Sequence, residues 1–110
     1  MALPKDKRLK RKKDFERVFK KGRAVKGNFL FAKYMENGLG FPRFAFIVSS
    51  KVAKSAVARN RVRRVLSEIS RPYLKTTHPA DIVLIADKRT VEAGPAQLKK
   101  DIENILGKMS

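Results

Sequence analysis

Cysteine is absent from the chain, and histidine occurs once, at His78. The first absence excludes a disulfide framework and a thiolate metal site. The second leaves little for acid–base or metal chemistry: a lone His in a Thr-Thr-His-Pro loop is far more often surface than catalytic. Acidic residues are scarce too, 10 against 27 Lys and Arg. A nuclease needs paired carboxylates or histidines at metal-ligand or acid–base spacing. Here Asp81 and Asp87 merely flank an apolar run and read as its terminators. No phosphate-binding glycine loop, dinucleotide-binding glycine pattern or nucleophile elbow occurs. No apolar stretch approaches the roughly 18 residues of a membrane-spanning helix. The N-terminus is basic and has no apolar stretch like that of a signal peptide. No catalytic residue and no protein metal ligand is therefore assigned.

What the chain has in excess is positive charge. Its 110 residues carry a net charge of +17, enough self-repulsion to require a polyanionic partner. The length allows one domain, and 43% hydrophobic residues allow that domain a core. Residues 1–11, crowded with Lys5, Lys7, Arg8, Lys10 and Arg11 around Pro4, read as a basic flexible tail. Residues 12–110 read as a single RNA-binding domain.

Periodicity predicts a helix over about Lys12 to Lys21, with Phe15, Val18 and Phe19 on one face and Gly22 as its stop. Strands follow at Arg23 to Lys26, Asn28 to Met35 and Arg43 to Ser49, with an Asn37-Gly38 turn between the last two. Alternation puts Phe44, Phe46 and Val48 on one side of the third strand. Ser55 caps a helix to about Ser70, with Ala58, Val62, Val65, Leu66 and Ile69 as its apolar stripe. The unbroken run Ile82-Val83-Leu84-Ile85 within Asp81 to Ala86 predicts a strand buried on both faces. A last helix from about Pro95 turns Leu98, Ile102, Ile105 and Leu106 inward and stops at Gly107. The order α-β-β-β-α-β-α makes an α+β sandwich with one mixed sheet.

Chemistry concentrates between Lys51 and Arg64. On a helix, Asn60, Arg63 and Arg64 project opposite the apolar stripe, and Arg59 and Arg61 flank it. Four guanidinium groups held this closely repel one another unless an anion sits between them. Each offers a planar fork that fits phosphate oxygens and stacks on bases. A solvated basic face is the bland alternative. The shortage of nearby acid weakens it, since Glu68 is the one carboxylate on this helix.

Arg59-Asn60-Arg61-Val62-Arg63-Arg64, preceded by Ala56-Val57, resembles the signature helix of the bacterial ribonuclease P protein family. The resemblance extends over most of the chain. It takes in Asp14-Phe15 and Val18-Phe19 before Lys20-Lys21-Gly22, the strand Arg43 to Ser49, and the strand Asp81 to Ala86. It implies a left-handed β-α-β crossover and a fold related to the second domain of a small-subunit ribosomal protein. It further implies a protein that carries no chemistry of its own within a ribonucleoprotein endoribonuclease. The catalytic RNA of that holoenzyme, with its magnesium ions, removes the 5′ leader of precursor tRNA. The implied partners are the ribonuclease P catalytic RNA, one protein per RNA, and precursor tRNA, in the cytoplasm and away from membranes. No cofactor is implied for the protein alone.

By the same resemblance Arg59, Asn60, Arg61, Arg63 and Arg64 bind the catalytic RNA. The leader falls to Phe15, Phe19, Phe31, Lys33, Lys51, Lys54 and Lys88. Helical spacing alone fits Phe19 either to the core or to an exposed ring on which a base stacks. Phe31 and Lys33 share the strand face opposite Leu30 and Ala32. The sequence departs from the family pattern at Lys51-Val52, where two adjacent Lys are usual, at Lys54 in place of a glycine, and at Asp87-Lys88, where two basic residues are usual. Two other readings remain open here. A ribosomal-type RNA-binding module shares the charge but needs no aromatic cleft. A membrane-surface protein needs an exposed apolar helix face, whereas each stripe here has a core to fill.

Overall fold

A computed structural model describes residues 3–109. Three helices, α1 (Lys12–Lys21), α2 (Ala56–Ser70) and α3 (Pro95–Lys108), accompany four strands, β1 (Arg23–Lys26), β2 (Leu30–Glu36), β3 (Arg43–Ile47) and β4 (Ala80–Ala86). The expected order of elements holds. Three 3-10 turns, at Lys5–Lys7, Arg71–Leu74 and Lys88–Glu92, escaped the periodicity analysis because none is long enough to show a period. β2 starts two residues later than expected because the Asn28 and Phe29 main chain bonds to a helix instead of a strand.

The strands run β1-β2-β4-β3 across one mixed sheet, with β3 and β4 parallel and the other pairs antiparallel. β4 therefore inserts between two strands made long before it. Its apolar run is buried on both faces, as expected. Ile82 and Leu84 join the larger core with Leu30, Ala32, Phe44, Leu66, Leu98, Ile102 and Ile105, beneath α2 and α3. Val83 joins the smaller core with Leu9, Val18 and Ala45, beneath α1. The sheet is thus covered fully on one side and only in part on the other.

Local chemistry fixes the joints. Gly22 ends α1 in an ordinary extended conformation. A Cβ there would lie 2.3 Å from the Val18 carbonyl oxygen and 2.8 Å from that of Tyr34. Glycine is needed for this close approach to β2, not for a left-handed turn. In the β2–β3 loop Gly38 and Gly40 do adopt φ of 66° and 82°, which L side chains resist. Ser55 caps α2 as expected, its Oγ accepting from the Ala58 N–H at 3.0 Å. α3 continues through Gly107 to Lys108.

A buried tie is made by Asp101 on α3, a residue that is 2% exposed. It accepts the main-chain N–H groups of Asn28, Phe29 and Leu30 at 2.7, 3.0 and 3.0 Å. Gly27 precedes them, and a Cβ on it would lie 2.6 Å from both Asp101 oxygens.

The segment expected to be a tail lies on the domain from Leu3 onward; Met1 and Ala2 lie outside the described residues. Leu3 is buried in the larger core and Leu9 in the smaller one. The segment therefore crosses the edge of the sheet at β3. There the Leu9 N–H donates to the Phe44 carbonyl at 2.8 Å. The Lys7 ammonium sits 3.7 Å from the centre of the Phe41 ring. Two leucines among basic residues are too sparse for a periodic signal, and charge dominated the sequence reading.

Candidate nucleic-acid interface

The half-covered sheet face carries the expected aromatic and basic residues. Pairing register places Lys26, Phe31, Ile85 and Ile47 in one row across the four strands. The next row runs Ala24, Lys33, Val83 and Ala45. Leu30 and Ala32 are buried on the opposite face, while Phe31 and Lys33 are half-buried on this one. α1 borders the rows. Phe15 packs half-buried against the smaller core. Phe19 is 38% exposed, so its ring is not part of the core. The Lys33 ammonium donates to the Phe19 carbonyl at 3.0 Å, so it holds the end of α1 as well as offering charge.

Because β3 and β4 are parallel, the segments leaving them emerge at the same end of the sheet. β1 ends and β2 begins there too. Lys51 and Lys54 leave β3 exposed, and Lys88 leaves β4 exposed. Lys26, not singled out from sequence, completes this cationic end. It was missed because a lone Lys on a four-residue strand has no readable register. Asp87 is less adverse here than its charge suggests. It caps the Lys88–Glu92 turn and accepts from the Arg89 main-chain N–H at 3.1 Å. That hydrogen bond, with further help from the Arg89 side chain and Lys26, holds its carboxyl below the usual range.

The position of α1 depends on a buried carboxylate that the sequence reading misassigned. Asp81 does not terminate β4; it lies within it, with no exposed side-chain surface. It accepts two hydrogen bonds from Arg43 at 2.8 Å, one from Arg17 at 3.2 Å and one from Asn37 at 3.0 Å. Asp14 adds a 3.4 Å ion pair to Arg43. Burial alone would raise the Asp81 pKa; the hydrogen bonds from Arg43 and Asn37 outweigh it, and the group titrates below its ordinary value. Arg17 and Asp14 stand on α1, so this network pins the helix that carries Phe15 and Phe19.

On the other side of the molecule, α2 presents the arginines. Asn60, Arg61 and Arg64 are exposed, whereas Arg59 and Arg63 are half-buried. Arg59 donates to the carbonyls of Ala53 and Lys54 at 3.0 and 2.8 Å. It therefore shapes the loop before the helix instead of standing free. Arg63 donates to the Asn60 side-chain oxygen. The helix splits the set: Arg61 lies beside Val62 and Val65 toward α3, while Arg63 and Arg64 line a groove toward the N-terminal segment.

Among the described residues, no three His, Cys, Asp or Glu side chains gather as metal ligands. His78 is exposed and pairs with Glu36 at 3.0 Å. No helix among them is long and apolar enough to cross a membrane.

Comparison with known proteins agrees with the geometry. A protein component of ribonuclease P from Thermoanaerobacter sp. (strain X514) is 37% identical over 102 residues, covering 92% of this chain and 87% of its own. The corresponding protein of Syntrophomonas wolfei is 37% identical over 109 residues, covering 96% and 89%. The solved RNase P protein of Thermotoga maritima superposes with a TM-score of 0.85 at 25% identity, over 94% of this chain and 97% of that one. That of Staphylococcus aureus gives 0.83 at 26%, over 92% and 93%. The sequence model of the Ribonuclease P family matches residues 3–110. The chain belongs to the ribonuclease P protein family.

Proposed function

We propose that this chain is the protein subunit of a ribonuclease P holoenzyme, with one protein per RNA, and that it serves 5′-end maturation of tRNA in the cytoplasm. α2 docks on the catalytic RNA through Arg61, Asn60, Arg63 and Arg64, with Arg59 setting the loop that leads in. The sheet face holds the single-stranded leader of precursor tRNA. Phe19 and Phe31 offer rings to unpaired bases, and Lys33, Lys51, Lys54 and Lys88 meet phosphates. Phe15, half-buried against the smaller core, joins them on the leader side. Magnesium belongs to the RNA, and the protein takes no cofactor of its own.

The supporting observation is the half-covered sheet face. Phe31 lies between Lys26 and Ile85 in one row, next to Lys33, and the exposed Phe19 stands at its border. A surface that alternates rings and cations suits a single strand, since bases stack while phosphates are neutralised. A duplex-binding ribosomal module has no use for it.

The test is reconstitution with ribonuclease P RNA. Protein alone should cleave no precursor tRNA at any magnesium concentration. Added to the RNA, it should lower the magnesium needed for cleavage, because its charge offsets repulsion between RNA and substrate. Cleavage at the 5′ junction by RNA-free protein would refute the proposal.

A further inference from the structure

A groove of about 780 Å³ runs along the free edge of β3, between the N-terminal segment and α2. Its floor is apolar, formed by Leu9, Phe15, Phe44, Ala45 and Phe46. Its rim is cationic: Arg8 and Lys10 on one bank, Arg63 and Arg64 on the other. Among the described residues, no carboxylate lines it. The groove adjoins the leader face at the sheet edge, where Phe15 and Ala45 line it from the smaller-core side, and opens on the other side of β3. Phe46 packs toward the larger core under α2, whereas Phe31, Lys33 and Ile47 belong to the opposite side of the sheet.

We propose that this groove seats an unpaired base of the catalytic RNA, its ring laid on Phe46 and its flanking phosphates held between Lys10 and the Arg63–Arg64 pair. The inference deepens the docking role proposed for α2 and rests on it. Three observations select this occupant. First, the Phe46 ring is already oriented. It lies nearly parallel to Phe44, at an interplanar angle of 4° and a centroid distance of 6.1 Å. Phe44 is 1% exposed, so the core fixes the inner ring while Phe46, half-buried, meets the groove. A preset aromatic face costs little further ordering on binding. Second, the two banks carry one sign of charge on either side of an apolar floor, the complement of a base flanked by phosphates. Third, strand alternation turns the Phe46 N–H and carbonyl the same way as the Phe44 carbonyl, outward from β4. They offer a base edge one donor and one acceptor.

An added peptide strand fits less well. Leu9 already occupies the Phe44 carbonyl, so only a short stretch of β3 edge beyond it is open. A second copy of a chain with net charge +17 would face a rim of its own sign.

The decisive experiment has two arms. In the first, assembly of the full chain with ribonuclease P RNA is measured across a salt series. Phe46→Leu keeps an apolar side chain but removes the ring; it should weaken assembly about tenfold to a hundredfold, as loss of one stacked base does. Phe46→Trp should restore it, which a merely structural role for Phe46 would not predict. Lys10→Ala, at an exposed position, should shallow the salt dependence by about one unit of slope. In the second arm, the dinucleotide pApA is titrated into the free protein and followed by amide resonances. Leu9, Phe46 and Ser67 should shift, and Phe46→Leu should abolish the shifts. If Arg61→Ala weakens assembly while Phe46→Leu and Lys10→Ala do not, the groove proposal falls and docking through α2 stands. If none of the three weakens it, the docking proposal falls, and the pApA titration decides the groove alone. Tighter binding there of an Asp- and Glu-rich heptapeptide than of pApA would overturn base recognition.

Discussion

Replacing Asp101 with Asn should destabilise the domain by about 2–4 kcal/mol. The carboxylate accepts three main-chain N–H groups. An amide keeps at most two of these bonds, and each loses its charge assistance, a difference of about 1 kcal/mol apiece. The third donor then faces an NH2 group. Phe29 and Leu30 share one carboxylate oxygen, so an amide that keeps both bonds turns its NH2 to the exposed Asn28, where water takes over and the cost is near the low end; the opposite flip leaves the Phe29 and buried Leu30 N–H groups unsatisfied at about 1–3 kcal/mol each. At this chain length the melting temperature should fall by about 8–16 °C. Thermal and urea unfolding followed by circular dichroism measure both quantities. A second substitution isolates the cause. Gly27→Ala puts a methyl group against both carboxylate oxygens, so it should be costly in the native background and much cheaper alongside Asp101→Gly. The coupling between the two changes should exceed about 1 kcal/mol, as for groups in direct contact. A melting temperature within about 2 °C of the parent for Asp101→Asn, or strict additivity with Gly27→Ala, would refute the reasoning.

Acid should unfold the protein partly through Asp81. Its native pKa is lowered, so its contribution is present above the ordinary carboxylate value and is lost as pH falls through the native one; Asp81→Asn should cost about 2–3 kcal/mol at neutral pH and flatten the pH dependence of stability below about pH 4. Ser70→Ala should stabilise by roughly 0.5–1 kcal/mol in urea unfolding, since the buried Ser70 hydroxyl has no hydrogen-bond partner among the described residues and Ala is the better helix former. Lys33→Ala should weaken binding of precursor tRNA to the reconstituted holoenzyme about tenfold and spare mature tRNA, which has no leader; equal losses for both would remove this face from leader recognition. Arg61→Ala with Arg64→Ala should reduce affinity for the catalytic RNA by about 3–6 kcal/mol with the melting temperature unchanged; leaving Arg59 intact keeps the preceding loop in place.

Elements with a period were legible in the sequence. The helices at Phe15–Phe19, Ala58–Ile69 and Leu98–Leu106 and the run at Ile82–Ile85 declared themselves because burial on one face, or on both, leaves a pattern. What escaped was set by contacts distant in sequence. Asp81 reads as a strand terminator until Arg43, Arg17 and Asn37 arrive from three other elements to neutralise it inside β4. Arg59 reads as one more free cation until its reach to the Ala53 and Lys54 carbonyls is seen. Lys26 gains meaning only from its pairing with Phe31, and Phe46 only from the N-terminal segment across the groove. The leucines of that segment, Leu3 and Leu9, are too few to outweigh the lysines around them. The site was therefore legible as a set of residue types and, through the family resemblance, as two expected surfaces, while the contacts that hold each side chain in place were not.

The position of β4 imposes an order of events on synthesis. β2 and β3 are complete by Ile47, yet neither pairs with the other, because the strand that joins them ends at Ala86. At about 5–20 residues per second the nascent chain waits seconds with two unpaired strand edges and a surplus of cations. It does so beside ribosomal RNA, to which those cations are attracted. A chain that stops before Ala80 has no means of closing the sheet, so synthesis leaves no half-length folded intermediate. The proposed leader face, whose residues run from Phe15 to Lys88, is therefore incomplete until β4 is inserted.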